Sequence, residues 1–493
     1  MVFSSAIFLF CFFPAIFIIY HIVPGITAKN IILILASLIF YSFGQPVYLL
    51  LLLASVMINY IGGVLIHAGH NSSRISLAVT LILNLALLGV FKYAGFAVEN
   101  INRMVHTSLP VPDIVLPIGI SFFTFQGMSY IVDVYRDRTL YTGNFAKLLL
   151  YISFFPQLIA GPVIKYHDVS EMIDDRHCTL EDTSIGIRRF IIGLSKKLLL
   201  ANTAGAVADS VFTADSSSLD IRLAWLGAVC YTLQIYFDFS GYSDMAIGMG
   251  RIFGFRFLEN FNYPYVSTSI KEFWRRWHIS LSSWFRDYLY IPLGGSYCSK
   301  FRTNINKFIV FFTTGLWHGA NWTFVLWGLW HGMFSILEDT GIIPARKFSS
   351  SHTGRFIGHI YTMLVVILGF TLFRADSLGS ACTIFKAMFS GFAISAESSF
   401  LLNSLLTRTN VSVLILAVIL SVDWLPRLER RLAVKLRTDI GSDASSDEDV
   451  ITYTAPAPVA LEVISYVGVF ALFIYDVLNL SQATFNPFIY FQF

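Results

Sequence analysis

The stretch FIVFFTTGLWHGANWTFVLWGLWHGMFSIL, residues 308–337, holds no Asp, Glu, Lys or Arg. One helical crossing of a bilayer needs only ~20 apolar residues, so this run is too long for a single ordinary span. Basic segments bracket it. Residues 271–302 carry Lys271, Arg275, Arg276, Arg286, Lys300 and Arg302 against Glu272 and Asp287, and residues 346–355 are basic again. The positive-inside rule places both on the cytoplasmic side, so the run between them crosses an even number of times and forms a hairpin. Its natural turn is Gly315 to Asn321, which leaves about 15 residues per limb, or ~22 Å of helix, against a hydrocarbon core of ~30 Å. His318 is therefore expected at a re-entrant tip inside the membrane body, in a protein-lined cavity. An ionisable residue at that depth points to a functional site, because leaving it unpaired in lipid costs several kcal/mol. Alternatively, His318 is a hydrogen-bonded core histidine that pins the hairpin. Gly315 and Gly319 favour function, since they permit close backbone approach. His331, in a similar LWHG string, has no comparable turn around it and reads as a core residue.

The rest of the chain has the same character. Of 493 residues, 55% are hydrophobic and 13% charged, about half the ~25% charged share of a soluble domain. The net charge of +3 gives no reason to expect a nucleic-acid partner. Further charge-free runs cover 114–132, 148–164, 223–237 and 356–373. Candidate spans are 5–23, 31–43, 47–66, 75–96, 115–132, 148–163, 185–200, 223–237, 305–317, 322–337, 356–373, 411–422 and 459–475. The pattern predicts an all-α, polytopic membrane protein with ten or more membrane segments. Several segments are short or interrupted by Pro117, Gly119, Pro156, Gly161 and Pro162, which is tolerated at membrane depth only within protein or beside a cavity. A compact helical body with re-entrant pieces is expected, forming one domain over 1–493, with the first apolar segment retained as a span. Residues 427–437 are basic and expected to be cytoplasmic; residues 441–459, acidic and Ser-rich and then Ala/Pro-rich, read as a flexible linker. The five cysteines are scattered with no CxxC pair, which fits apolar packing.

A second constellation precedes the hairpin: FWRRWHISLSSWFRDYLYIPLGG, residues 273–295. Trp274, Trp277, Leu281, Trp284 and Tyr288 recur at spacings of three and four, so the stretch is expected to be one interfacial amphipathic helix. Arg275, Arg276 and Arg286 fall mainly off that face, and His278 borders it. There is no HExxH and no acidic residue beside His318, so a metal site is not expected; no GxSxG marks a Ser nucleophile. Gln157, Gln234, Asp238 and Asp244 lie in apolar surroundings, either as polar glue between helices or as a cavity lining.

PIGISFFTFQGMSYIVDVYR (117–136), SFFPQLIAGPVIKYHDV (153–169), LQIYFDFSGYSDMAIG (233–248), the 273–295 stretch, TGLWHGANWTFVLWGLWHG (314–332) and the terminal PFIYFQF (487–493) resemble strings of the membrane-bound O-acyltransferase family, in particular its bacterial alginate O-acetyltransferase type. The resemblance runs the length of the chain. It implies a helical membrane body with re-entrant helices around a central funnel, and transfer of an acyl group to a hydroxyl. It also implies that His318 matches the family's invariant histidine and His278 its second characteristic position, which is a His in the bacterial branch.

On that basis His318 is expected to act as a neutral general base, with His278 orienting donor or acceptor. Arg275, Arg276 and Arg286 would attract an anionic donor, acetyl-CoA being the expected one, with no bound cofactor. Trp317, Asn321, Asp238 and Gln157 complete the candidate substrate-binding set. The expected setting is a bacterial cytoplasmic membrane, with an extracytoplasmic polysaccharide as acceptor and a partner acetyltransferase or acceptor protein completing transfer. Two other possibilities stay open: D-alanyl or other acyl transfer to teichoic acid or peptidoglycan, and a non-enzymatic transporter using Asp238, Asp244 and His318.

Overall fold

The computed structural model describes residues 1–69, 72–159, 161–424, 427–428, 459–482 and 488. The linker expected at 441–459 lies outside the described residues but for Val459, which opens the last helix. Among the described residues the chain is helical throughout, with no strand.

A π turn at Phe8–Phe12 leads into α1 (Phe13–Ile22), followed by α2 (Ile26–Ser42) and α3 (Tyr48–Ala68). Helix α4 (Ser73–Leu88) runs through a second π turn, Gly89–Tyr93, into α5 (Ala94–Val105). Next come α6 (Ile120–Arg136), α7 (Phe145–Ser153), α8 (Phe155–Leu158) and α9 (Tyr166–Asp174). The expected span at 148–163 is thus broken into α7, α8 and an irregular stretch. Pro156 occupies the first turn of α8, where a missing N–H costs nothing, and Pro162 follows in the irregular stretch.

Helix α10 (Leu180–Ser195) passes through a third π turn, Lys196–Ala201, into α11 (Asn202–Phe212). Helix α12 (Ile221–Ile252), 32 residues and about 48 Å long at 1.5 Å per residue, is the buried axis of the body. It packs on α10, α11, α18 and α19. Small residues let α10 and α12 meet backbone to backbone: a Cβ on Gly248 would stand 2.6 Å from the Gly186 carbonyl oxygen, and one on Gly241 2.7 Å from that of Gly193.

Two short helices, α13 (Ile270–Arg276) and α14 (Ile279–Phe285), precede a π turn at Arg286–Tyr290. The hairpin follows as α15 (Lys300–His318) and α16 (Trp322–Thr340), then α17 (Ala345–Phe348), α18 (His352–Arg374), α19 (Leu378–Ser390), α20 (Ala396–Leu405), α21 (Arg408–Leu420) and α22 (Val459–Gln482). The hairpin limbs are 19 residues each, longer than expected, because α15 begins in the polar KFRTNINK segment before its apolar part. Gly315 and Gly328 sit where the limbs cross; a Cβ on Gly315 would stand 2.5 Å from the Phe324 carbonyl oxygen.

Among the described residues, five helical stretches are long and apolar enough to cross a membrane: Tyr48–Ala68, Ser73–Val105, Leu180–Phe212, His352–Arg374 and Val463–Leu480. A sixth arises if α20 and α21, bent by 69°, form one span. The chain is a multi-pass membrane protein; of the ten or more expected membrane segments, five or six among the described residues are long and apolar enough for a full crossing. Several expected segments are instead short helices packed against neighbours.

A polar network ties one face of the body together. Asp133 at the end of α6 accepts from His167 Nδ1 (2.9 Å) and from the Tyr288 hydroxyl (2.7 Å). Lys165 pairs with Asp287 at 2.6 Å. The hydrogen bond to Asp133, then that to Asp168, raises the His167 imidazole to about 9. A group raised above its unfolded value of 6.5 adds stability that is complete below that value and is lost as pH rises through the folded one. Thermal unfolding of the detergent-solubilised protein should therefore shift to lower temperature between about pH 6.5 and 9, and the His167→Gln variant should flatten that dependence. An unchanged slope in the variant would rule out His167 as its source.

Candidate active site

His318 is the last residue of α15, and His278 stands between α13 and α14. Forty residues apart in sequence, they meet the same side chain. The Trp317 ring centroid lies 5.0 Å from that of His318 and 6.2 Å from that of His278. Phe122 and Phe125 of α6 back the indole at 5.4 and 5.5 Å. On its other side the His318 imidazole meets Trp327 at 4.9 Å and Phe373 at 5.2 Å, both edge-on. His318 is 7% exposed and His278 1%, so both imidazoles sit inside the body, in an aromatic box.

The expected continuous helix over 274–288 is not formed. The chain turns at His278, whose φ of 45° and ψ of 52° are left-handed. That geometry costs a non-glycine residue ~1–3 kcal/mol unless its surroundings impose it. They do so here: the Asn262 N–H donates to the Arg276 carbonyl and the Ile279 N–H to the Asn260 carbonyl, each at 2.9 Å. The segment before α13 thereby clamps both sides of His278. The break also turns the aromatic residues inward, and Trp277 and Trp284 are buried in the body.

Asn260 does more than hold the backbone. Its side-chain oxygen accepts from the Ser280 N–H (3.3 Å) and hydroxyl (2.8 Å), and its nitrogen donates to Ser243 Oγ at 3.0 Å. A backbone N–H can only donate, so the atom facing it must be the amide oxygen. The same oxygen lies 3.1 Å from His278 Nδ1, which must therefore carry the proton. The lone pair of His278 is left on Nε2, a buried atom with no hydrogen-bond partner among the described residues. Asn260 also lines a cavity of about 160 Å³ bounded by Arg189, Lys196, Ser243, Asp244 and Glu259. Arg189 bridges Asp244 and Glu259, and Lys196 pairs with Asp244 at 2.6 Å, so the charges of this cavity are largely balanced.

The end of α15 is held from a third direction. Lys92 Nζ, from the π turn between α4 and α5, donates to the carbonyls of Trp317 (2.6 Å) and His318 (3.2 Å) and to Ser121 Oγ (3.2 Å). The neighbouring Tyr93 hydroxyl donates to the Leu316 carbonyl at 2.6 Å.

The other candidates are distributed more widely. Asn321 caps α16, its side chain accepting from the Thr323 N–H and donating to the Asp376 carbonyl at 3.0 Å. Asp238 is buried in an ion pair with Lys197 at 2.5 Å. Gln157 donates to the Tyr151 carbonyl at 2.7 Å. Arg276 binds Glu272 and the Asn262 carbonyl, Arg286 is paired with Asp287, and Arg275 is exposed. His331 is fully buried between Phe273, Trp274 and Trp327. Asn260 and Lys92 were not among the sequence candidates. Lys92 had a signal, as the lone charge between Arg74 and Glu99 in an apolar run; Asn260 had none.

A buried pair of histidines in an aromatic box within a helical membrane body is compatible with a membrane-bound transferase. Similarity to known proteins agrees. The model of the MBOAT, membrane-bound O-acyltransferase family matches residues 82–378. The "Probable alginate O-acetylase AlgI" of Azotobacter vinelandii is 39% identical over the full length of both chains, and that of Pseudomonas aeruginosa 38%. The "Peptidoglycan O-acetyltransferase" of Helicobacter pylori is 35% identical over 79% of this chain and 80% of its own. This chain belongs to the membrane-bound O-acyltransferase family, and it is an acyltransferase rather than a transporter.

Asn260→Leu should leave His278 Nδ1 and Ser280 without their acceptor, at a cost of ~1–3 kcal/mol in stability, and free the imidazole to change tautomer. Acyl transfer should fall by roughly tenfold, less than the ~10²–10⁴-fold that outright loss of a general base produces, while thermal unfolding still shows a folded protein. Full activity in that variant would mean that the His278 tautomer does not matter.

Proposed function

We propose that the protein transfers an acetyl group from a cytoplasmic donor, acetyl-CoA, toward hydroxyls of an extracytoplasmic polysaccharide of the alginate type, with a partner protein completing delivery on the outer side. What carries this reading is that His278 and His318 converge on one indole while arriving from different elements. His278 sits at the start of α14, beside the basic loop and the Asn260 cavity. His318 closes a 19-residue helix that begins at Lys300 in that loop, about 28 Å away along the axis. Both imidazoles meet the Trp317 indole and so share that end of α15; with the Lys300 end on the cytoplasmic side, the donor enters from that end and the acceptor from the opposite side.

His318 takes the proton of the attacking hydroxyl as that oxygen bonds to the acetyl carbon. The carbon–sulfur bond of the thioester breaks, and the proton passes to the departing sulfur, giving the ester and a free thiol. His278 Nε2, with its lone pair fixed by Asn260, accepts a hydrogen bond from donor or acceptor and orients it. The aromatic box excludes water, which suppresses hydrolysis of the thioester. Acetyl is favoured over D-alanyl by similarity: the "Teichoic acid D-alanyltransferase" of Streptococcus thermophilus is 28% identical over 63% of this chain, against 39% over the whole of it for the alginate-type relative.

His318→Ala should abolish polymer acetylation with normal protein level and folding, and His278→Ala should lower it by on the order of 100-fold, as expected for loss of a general base or its partner. Ester content of the secreted polymer, read by NMR, measures both. Normal acetylation by His318→Ala would refute the mechanism.

A further inference from the structure

The last four carbonyls of an α-helix have no partner within the helix. In α15 these belong to Gly315, Leu316, Trp317 and His318, and this helix end is buried in the body. Water cannot serve them there, so the protein must. Three of the four are met by two adjacent residues of one neighbouring π turn: Leu316 by Tyr93, and Trp317 and His318 by Lys92. A π turn inserts one extra residue into a helix and re-aims the side chains on it. A cation at the C-terminal end of a helix is also favoured by the helix dipole.

We propose that Lys92 is a positioning residue for His318: its ammonium fixes the last turn of α15, and with it the aim of the imidazole, while taking no part in contact with substrate. The ammonium has three N–H donors, and three acceptors lie within 3.2 Å: the carbonyls of Trp317 and His318 and the hydroxyl of Ser121. Nothing remains to bind an oxyanion or a donor phosphate. The contact falls on the backbone of the two residues that form the site, and Lys92 also stands over the Trp317 ring at 5.9 Å. A lysine that merely glued helices together would not have to bind at that turn.

The inference rests on the proposed role of His318 as base, and its test separates the two. Membranes carrying the full-length wild type, Lys92→Met or Lys92→Arg are given acetyl-CoA and deacetylated alginate. Lys92→Met keeps the length and loses the donors, so kcat should fall on the order of 10–100-fold, the penalty of a small misplacement, with KM for acetyl-CoA little changed. Lys92→Arg retains donors and should recover much of the loss. Independently of any substrate, diethyl pyrocarbonate labelling of His318, read by mass spectrometry, should be slow in wild type, faster in Lys92→Met and slow in Lys92→Arg. Equal labelling in all three overturns the proposal, as does unchanged kcat in Lys92→Met. If Lys92→Met does not fold, the arginine variant decides, since folded but inactive protein contradicts the proposal and active protein supports it. Wild-type membranes prepared from the protein's own host, which retain the delivery partner, refute the proposed function alone if they transfer no acetyl, because the labelling result still stands.

Discussion

An α-helix that ends inside a membrane body exposes carbonyl oxygens where no water can reach them, and the rest of this structure is arranged around one such end. The terminus of α15 is stopped where Gly319 takes an extended backbone and is stabilised by Lys92 and Tyr93. Only because that end is satisfied can His318 occupy the final position of a buried helix without the helix fraying. The lipid-facing helix formed by α4 and α5 therefore does more than cross the bilayer, since its π turn supplies the polar groups that the hairpin lacks.

The second histidine is held by a different device. His278 occupies a left-handed backbone position, pinned by two backbone hydrogen bonds and by Asn260. One imidazole is set by a helix end and the other by a strained turn, and Trp317 joins them. Building the site from separate elements explains why much of the body is needed: α6 backs the indole, α12 contributes Phe239 against His278 at 4.5 Å, and α18 brings Phe373 to His318. The close Gly–Gly contacts of α10 and α12 keep this assembly dense.

Much of this could be read in the residues. The uncharged 308–337 run identified the hairpin and its histidine, because periodicity, charge and turn chemistry all act over a few neighbouring residues. The 273–295 stretch was legible only in part. Its aromatic spacing suits one helix, yet tertiary hydrogen bonds from Asn260 and Asn262 break it at His278, and no local pattern announces a clamp from 16–18 positions upstream. The arginines looked like a donor-attracting patch, whereas Arg276 and Arg286 are paired with acids next to them in the chain. Asp238 looked available to a substrate but has Lys197 as its partner, from a π turn that sequence does not reveal. Lys92 shows the opposite case: its isolation in an apolar run was visible, but its target, a helix end 225 positions away, was not.

Whether His278 and His318 serve one reaction centre at Trp317 is decided by an experimental structure of the protein with a non-hydrolysable acetyl-CoA analogue. The acyl carbonyl is expected against the Trp317 indole, within hydrogen-bonding reach of His278 and facing His318. Acyl density lodged elsewhere in the body, away from both imidazoles, would contradict a shared centre.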